Sequence, residues 1–102
     1  MELDFADIVS PHPLVRSLRS GHTMTDSGVR VDRATCWGNP YCVSDMMTRE
    51  DAVRRYLKMI LRKPDMIAKV QRELRDKTLW CWCTPKLCHA DVLATLANME
   101  VG

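Results

Sequence analysis

The chain has 102 residues, a net charge of +2 and 27% charged residues, which fits one compact globular domain and excludes a disordered chain. It has no run of about 20 apolar residues and begins with an acidic segment, so we expect neither a membrane span nor a secretory signal. The protein is therefore predicted to be cytoplasmic, with its five cysteines reduced, metal-bound or reactive rather than paired in disulfides.

The N-terminal residues 1–28 contain prolines, glycines and many hydroxyl side chains. This composition predicts an irregular extension with one short helical turn near residues 14–18. A single α/β domain is expected over residues 29–102. Its first strand is predicted at residues 29–33, where valines alternate with charged side chains at the period of a half-buried strand.

Two helices are predicted next. The first begins at Thr48, because Asp51 three residues later gives the spacing of a capping box. Pro64 ends that helix and suits the first turn of the second. The polar face of the first helix carries four cations, namely Arg54, Arg55, Lys58 and Arg62. A solvated surface is the simpler interpretation of this face, and contact with nucleic acid or an acidic partner is the alternative.

Residues 78–83, with the sequence TLWCWC, form a short, continuously apolar run. Such a run is typical of a central strand that is covered on both faces. A last helix is predicted after the loop that follows. The sequence thus predicts a small single-domain α/β fold in the order strand, helix, helix, strand, helix, with a short sheet.

Three cysteines and a histidine lie within nine positions, as Cys81, Cys83, Cys88 and His89. On a strand, Cys81 and Cys83 would face the same side, and the following loop would bring Cys88 near them. They could hold zinc, but strand positions two apart are separated by about 7 Å, unlike the Cys-x-x-Cys turn of common zinc sites. A purely structural role is equally open, since cysteine is often buried.

A reactive or ligand-binding thiol is the third interpretation of this segment. Cys88 directly precedes a predicted helix, where unpaired amides and the helix dipole favour a thiolate or a bound anion. His89 and Lys86 add nearby positive charge. We therefore expect Cys88 to be the most thiolate-like cysteine, and Cys81, flanked by two tryptophans, to react slowly.

Two motifs together resemble the phage and bacterial domain of unknown function numbered 4326. The first motif consists of Arg33, Trp37, Gly38, Asn39, Pro40 and Tyr41, and the second runs from Leu79 to Leu93. The resemblance covers about residues 29–99 and leaves Cys36 and Cys42 outside the shared pattern. It implies a phage or bacterial protein, placed in the host cytoplasm if phage-encoded, and marks the two motifs as one site. It implies no particular reaction.

The leading hypothesis is a site for an anionic, nucleotide-like ligand at the carboxyl edge of the sheet, where α/β proteins usually bind ligands. Its predicted ligand-binding residues are Arg33, Trp37, Gly38 and Asn39, with Arg33 as charge partner. Cys88 or Cys83 would be the nucleophile and His89 the base. Trp37 is also a candidate core anchor.

The alternative is a non-catalytic interaction module. In it, zinc bound by Cys81, Cys83, Cys88 and His89 would brace the fold. The basic helical face would then contact an acidic host partner or nucleic acid.

Overall fold

The structure, a computed structural model, describes residues 3–10, 12–17, 28–32, 35–41, 43–82 and 86–99. Its elements are a 3-10 helix at Phe5–Asp7, strands β1 (Val15–Ser17) and β2 (Gly28–Arg30), helices α1 (Arg49–Leu61) and α2 (Pro64–Leu74), strand β3 (Thr78–Cys81) and helix α3 (His89–Ala97). This confirms the predicted mixed α/β class. No helix in the described residues has the length and apolar composition needed to cross a membrane.

The three strands form a parallel sheet in the order β1-β3-β2. Leu79 at the centre of β3 is aligned with Val15 of β1 on one side and Val29 of β2 on the other. The apolar run of β3 therefore lies between two neighbours, as predicted for a central strand. Strand β2 occupies residues 28–30 rather than 29–33, although Val31 still donates its N–H to the Trp80 carbonyl at 3.0 Å.

Strand β1 lies within the segment for which the sequence predicts an irregular extension. Residues 15–17 are extended rather than helical, so the helical turn predicted there was wrong. The Leu79 N–H donates to the Leu14 carbonyl at 2.8 Å, and the Val15 side chain is buried. Pairing with β3 and burial of Val15 thus outweigh the local turn preferences.

Helices α1 and α2 begin where the sequence predicts. The Thr48 hydroxyl accepts the Asp51 N–H at 3.1 Å at the start of α1, and Pro64 occupies the first turn of α2. Helix α3 packs against α2, α1 and the sheet, and most of its residues are buried. The core lies between the three helices and one face of the sheet, and its largest fully buried side chains include Tyr56, Ile60, Leu74, Leu79, Leu93 and Leu96.

A buried carboxylate fastens the N-terminal segment to α3. Asp91 Oδ1 accepts the His12 N–H at 3.0 Å, while Oδ2 accepts the Cys88 N–H at 3.0 Å and the Ser10 hydroxyl at 3.1 Å. Burial raises the pKa of Asp91 above its ordinary value, although the hydrogen bonds from His12, Cys88 and Ser10 oppose that rise. The carboxylate thus links residues that are about 80 positions apart in the sequence.

We expect Asp91→Ala to lower the free energy of unfolding by at least about 2 kcal/mol, because three donors lose their acceptor. Ser10→Ala, which removes one of these bonds, should cost about 1 kcal/mol. The raised pKa means that unfolded Asp91 ionises at lower pH than folded Asp91. Its contribution to stability is therefore greatest below its ordinary pKa of 3.8 and is lost as the pH rises through the folded value.

Urea titrations at several pH values would test this prediction. As the pH rises above about 4, the free energy of unfolding should fall less in Asp91→Ala than in the wild type. In Ser10→Ala it should fall as it does in the wild type. Equal destabilisation by the two substitutions would contradict the assignment of Asp91 as the shared acceptor.

Candidate functional site

A cavity of about 210 Å³ lies at the carboxyl ends of β2 and β3. Residues of both sequence motifs line it, namely Asn39, Tyr41, Cys81, Trp82, Cys88 and His89. The parallel sheet places the loops after β2 and β3 at the same edge, and α3 starts beside them. The structure thus brings together the two motifs that the sequence analysis treats as one site.

Trp37 and Gly38, both predicted to bind ligand, do not line this cavity. Trp37 is buried, and its carbonyl accepts the Tyr56 hydroxyl at 2.7 Å. The Gly38 N–H donates to the Thr35 carbonyl at 3.1 Å and so closes a turn. The structure therefore places Trp37 in the core, as the core-anchor interpretation expects, and gives Gly38 a role in the turn.

Asn39 lines the cavity and also fixes the loop around it. Its side-chain Nδ2 donates to the Ala52 carbonyl in α1 at 3.2 Å, and its Oδ1 accepts the Tyr41 N–H at 2.8 Å. Both ends of this buried amide therefore hold the chain in place. Through these bonds Asn39 positions Tyr41 at the wall of the cavity.

Cys88 and His89 form a thiol–imidazole pair. His89 Nδ1 lies 3.5 Å from Cys88 Sγ, and His89 Nε2 contacts the Val31 carbonyl. A carbonyl oxygen can only accept a hydrogen bond, so Nε2 carries the proton in the neutral ring. Nδ1 is then the basic nitrogen, and it faces the thiol. A nucleophile and its base need a contact of this kind between thiol and basic nitrogen.

Burial does not distinguish the two described cysteines of the motif. Cys88 is 2% exposed and Cys81 is 1% exposed, and both line the cavity. The Tyr56 ring packs edge-on against His89 with centroids 5.2 Å apart. Burial also raises the pKa of the Tyr56 hydroxyl, so this group stays protonated and donates to the Trp37 carbonyl. His89 and the start of α3 lie next to Cys88, and both favour its thiolate.

The start of α3 already holds a carboxylate. Asp91 accepts the Cys88 N–H, which is one of the amides that a bound anion would use. A bound anion could not use this amide while Asp91 accepts from it. Arg49 offers a positive charge at this site, since it lines the cavity and, among the described residues, donates a single long bond of 3.4 Å to the Leu87 carbonyl.

Asp32 and Trp82 also line the cavity. Asp32 is buried, and its Oδ2 accepts the Trp82 indole N–H at 2.9 Å and pairs with Arg30 at 2.7 Å. Trp82 remains 44% exposed, so a fixed aromatic surface stands at the rim. Our sequence reasoning missed Asp32, Arg49 and Trp82 as site residues. The position of Asp32 directly after β2 is the signal that could have identified it.

The zinc interpretation depends on Cys83, which lies outside the described residues. Arg33 and Cys42 lie outside them as well. Among the described ones, no three histidine, cysteine or acidic side chains are grouped so that they could hold a metal ion. Cys36 is exposed and contacts Lys69 Nζ at 3.7 Å; it does not line the cavity.

Comparison with known proteins identifies a family. The family model described as "Domain of unknown function (DUF4326)" matches residues 15–99. A protein of Enterobacteria phage T4, described as an uncharacterized 12.4 kDa protein in the nrdA-td intergenic region, is 39% identical over 77 residues, which are 72% of this chain and 70% of the phage protein. No solved structure matches. The family predicted from the two motifs is thus confirmed, and the match includes β1.

We expect His89→Gln to lower the alkylation rate of Cys88 near neutral pH by at least about tenfold, because it removes the base that faces the thiol. Glutamine can still donate to the Val31 carbonyl, which makes it the conservative choice. Mass spectrometry of each cysteine against pH would give the rates. In the wild type, Cys88 should react faster than Cys81.

The exposed Cys36 is the internal control and should keep its rate in the variant. An unchanged Cys88 rate in folded His89→Gln protein would contradict the pairing of thiol and imidazole.

Proposed function

The chain belongs to the DUF4326 family, and we propose that the cavity shared by its two motifs binds a small anionic ligand of the nucleotide type. One observation carries this proposal: both motifs line a single cavity whose wall contains a thiol, an imidazole, a carboxylate and a guanidinium group. Such a convergence of polar groups in an otherwise apolar pocket is typical of a ligand site.

The size of the cavity favours a ring over a whole nucleotide. Its volume of about 210 Å³ is below the range of about 300–1,000 Å³ that is usual for sites of drug-sized ligands. The half-exposed Trp82 and Val43 provide apolar surface at its edge. A heterocyclic ring can enter the cavity and contact the Trp82 indole, while its charged substituent stays outside.

The charged residues in the cavity wall favour a ligand with two chemically different parts. The Asp32 carboxylate already pairs with Arg30 and accepts from Trp82, and it still disfavours a ring that carries an acid at this part of the wall. The Arg49 guanidinium favours a phosphate or carboxylate. A nucleobase with an attached phosphate satisfies both preferences, and this is the basis for naming the nucleotide class.

Cys88 and His89 give the site a chemical capability beyond binding. Transfer of the thiol proton to His89 Nδ1 leaves a thiolate next to an imidazolium ion. Because both residues line the cavity, this nucleophile would face a bound ring. We propose Cys88 as the nucleophile and His89 as its base on these grounds.

A panel of nucleoside monophosphates, titrated by calorimetry, would test the proposal. At least one should bind, and Arg49→Gln should weaken it about tenfold or more, because a bond between charged groups is lost. The matched control is Arg72→Gln, an exposed residue of α2 that does not line the cavity and that pairs with Glu73 at 3.4 Å.

The corresponding nucleoside, which lacks the phosphate, should bind wild type and Arg49→Gln equally. Failure of every nucleotide to bind, or equal losses in Arg49→Gln and Arg72→Gln, would contradict the proposal.

Native mass spectrometry and metal analysis can distinguish the proposed ligand site from the alternative, an interaction module braced by zinc. Structural zinc would add one ion per chain and would make folding sensitive to a chelator. Under our proposal the purified protein stays folded in the chelator and retains nucleotide affinity. Loss of fold on removal of one bound zinc would favour the alternative.

A further inference from the structure

A second cavity, of about 290 Å³, lies beside the first and is strongly basic. It is lined by Tyr41, Arg55, Lys58, Met59, Arg62 and Lys63, which we call the basic groove. Four of these six residues are cations, and none is acidic. The basic groove is therefore a surface of one sign of charge, which attracts polyanions.

The cations of the basic groove follow one face of α1. Arg55, Lys58 and Arg62 recur at intervals of three and four residues, and they span about 10 Å along the helix axis. Like charges at this spacing repel each other. Within the described part of the chain, none of the four cations forms an ion pair. A bound polyanion would relieve this repulsion.

Arg54, a neighbouring cation on α1, already has partners within the protein. Its guanidinium pairs with Glu50 at 2.8 Å and lies 4.7 Å from the centroid of the Phe5 ring. It does not line the basic groove. The basic face predicted from the sequence is thus divided, with Arg54 used for packing and the other three available to a ligand together with Lys63.

Tyr41 joins the basic groove to the ligand cavity, because it lines both. Its backbone is fixed by the bond from its N–H to Asn39 Oδ1 at 2.8 Å. The two depressions are therefore neighbours across one residue of the first motif. A ligand that is long enough can occupy both at once.

We infer that this ligand is a short single-stranded nucleic acid, with one unpaired base in the cavity against Trp82 and its backbone phosphates in the basic groove. The inference rests on the proposed function and extends it from a mononucleotide to a strand. Cations spread over about 10 Å of helix match the consecutive phosphates of a strand better than a single phosphate. A duplex would not fit, because its bases are paired and cannot enter the cavity.

The combination of a basic groove with an exposed aromatic ring is the usual arrangement for single strands. An acidic peptide could use the basic groove, but only an aromatic side chain at the right position would also fill the cavity and contact Trp82, whereas every nucleotide carries a ring beside its phosphate. These two features therefore favour nucleic acid over an acidic protein partner.

The test compares a fluorescent six-nucleotide strand, made as DNA and as RNA, with mononucleotides. The groove variant is Lys58→Gln/Arg62→Gln. The control variant is Arg72→Gln/Lys77→Gln, which removes the same charge from exposed positions away from the basic groove. Anisotropy gives the strand affinity at several salt concentrations, and calorimetry gives the mononucleotide affinity. The strand that binds more tightly shows whether the ligand is DNA or RNA.

We expect the strand to bind at least tenfold more tightly than any mononucleotide. The groove variant should lose that advantage, and its slope of log affinity against log salt should be shallower by about 1.4, or 0.7 for each lost phosphate contact. Its mononucleotide affinity should match that of wild type. The control variant should keep most of the strand affinity.

Three results would overturn the inference: a strand that binds no better than a mononucleotide, equal losses in the groove and control variants, or competition by duplex DNA or poly-glutamate as strong as that by the strand. If mononucleotides still bind in these cases, the proposed function survives and only the extension to a strand fails. If neither mononucleotide nor strand binds, both fail.

Discussion

The backbone of Val31 joins the three elements on which the site depends. Its N–H donates to the Trp80 carbonyl of β3 at 3.0 Å, and its carbonyl contacts His89 Nε2 at the start of α3. The first bond extends the pairing of β2 with β3 beyond the strand itself. The second sets the imidazole so that Nδ1 faces the Cys88 thiol. One residue at a strand end therefore fixes both the edge of the sheet and the direction of the base.

Two buried carboxylates serve this arrangement in different ways. Asp91 is surrounded by donors from His12, Ser10 and Cys88, which offset part of the cost of burying its charge. It binds the N-terminal segment to α3 and keeps Cys88 at the helix start. Asp32 instead holds the Trp82 indole at the cavity. The first carboxylate stabilises the scaffold, and the second shapes the surface that a ligand would meet.

Much of the fold could be predicted from local signals. The cap at Thr48, the proline at Pro64 and the apolar run of β3 all act within a few residues, so the sequence displays them directly. Convergence of the two motifs also followed from the geometry of parallel strands. Strand β1 could not be predicted, because three residues are too few to show a period, and their conformation depends on pairing with β3.

The candidate site was less predictable for the same reason. Arg49 reaches the cavity from the first turn of α1, and the basic groove exists only because the loop carrying Tyr41 lies against that helix. Asn39 was expected to touch a ligand, and it does line the cavity, but its bonds to Ala52 and Tyr41 show that it also holds the loop. Such contacts join distant parts of the chain, and no local pattern encodes them.

A two-dimensional NMR titration of the tryptophan indole N–H signals with the best-binding nucleotide would show whether the cavity is the binding site. The three tryptophans occupy distinct places: Trp82 lines the cavity and donates to Asp32, whereas Trp37 and Trp80 are buried and do not line it. If the cavity is the binding site, the Trp82 indole signal should shift strongly and the other two should change little. Binding that leaves the Trp82 signal in place would contradict the account.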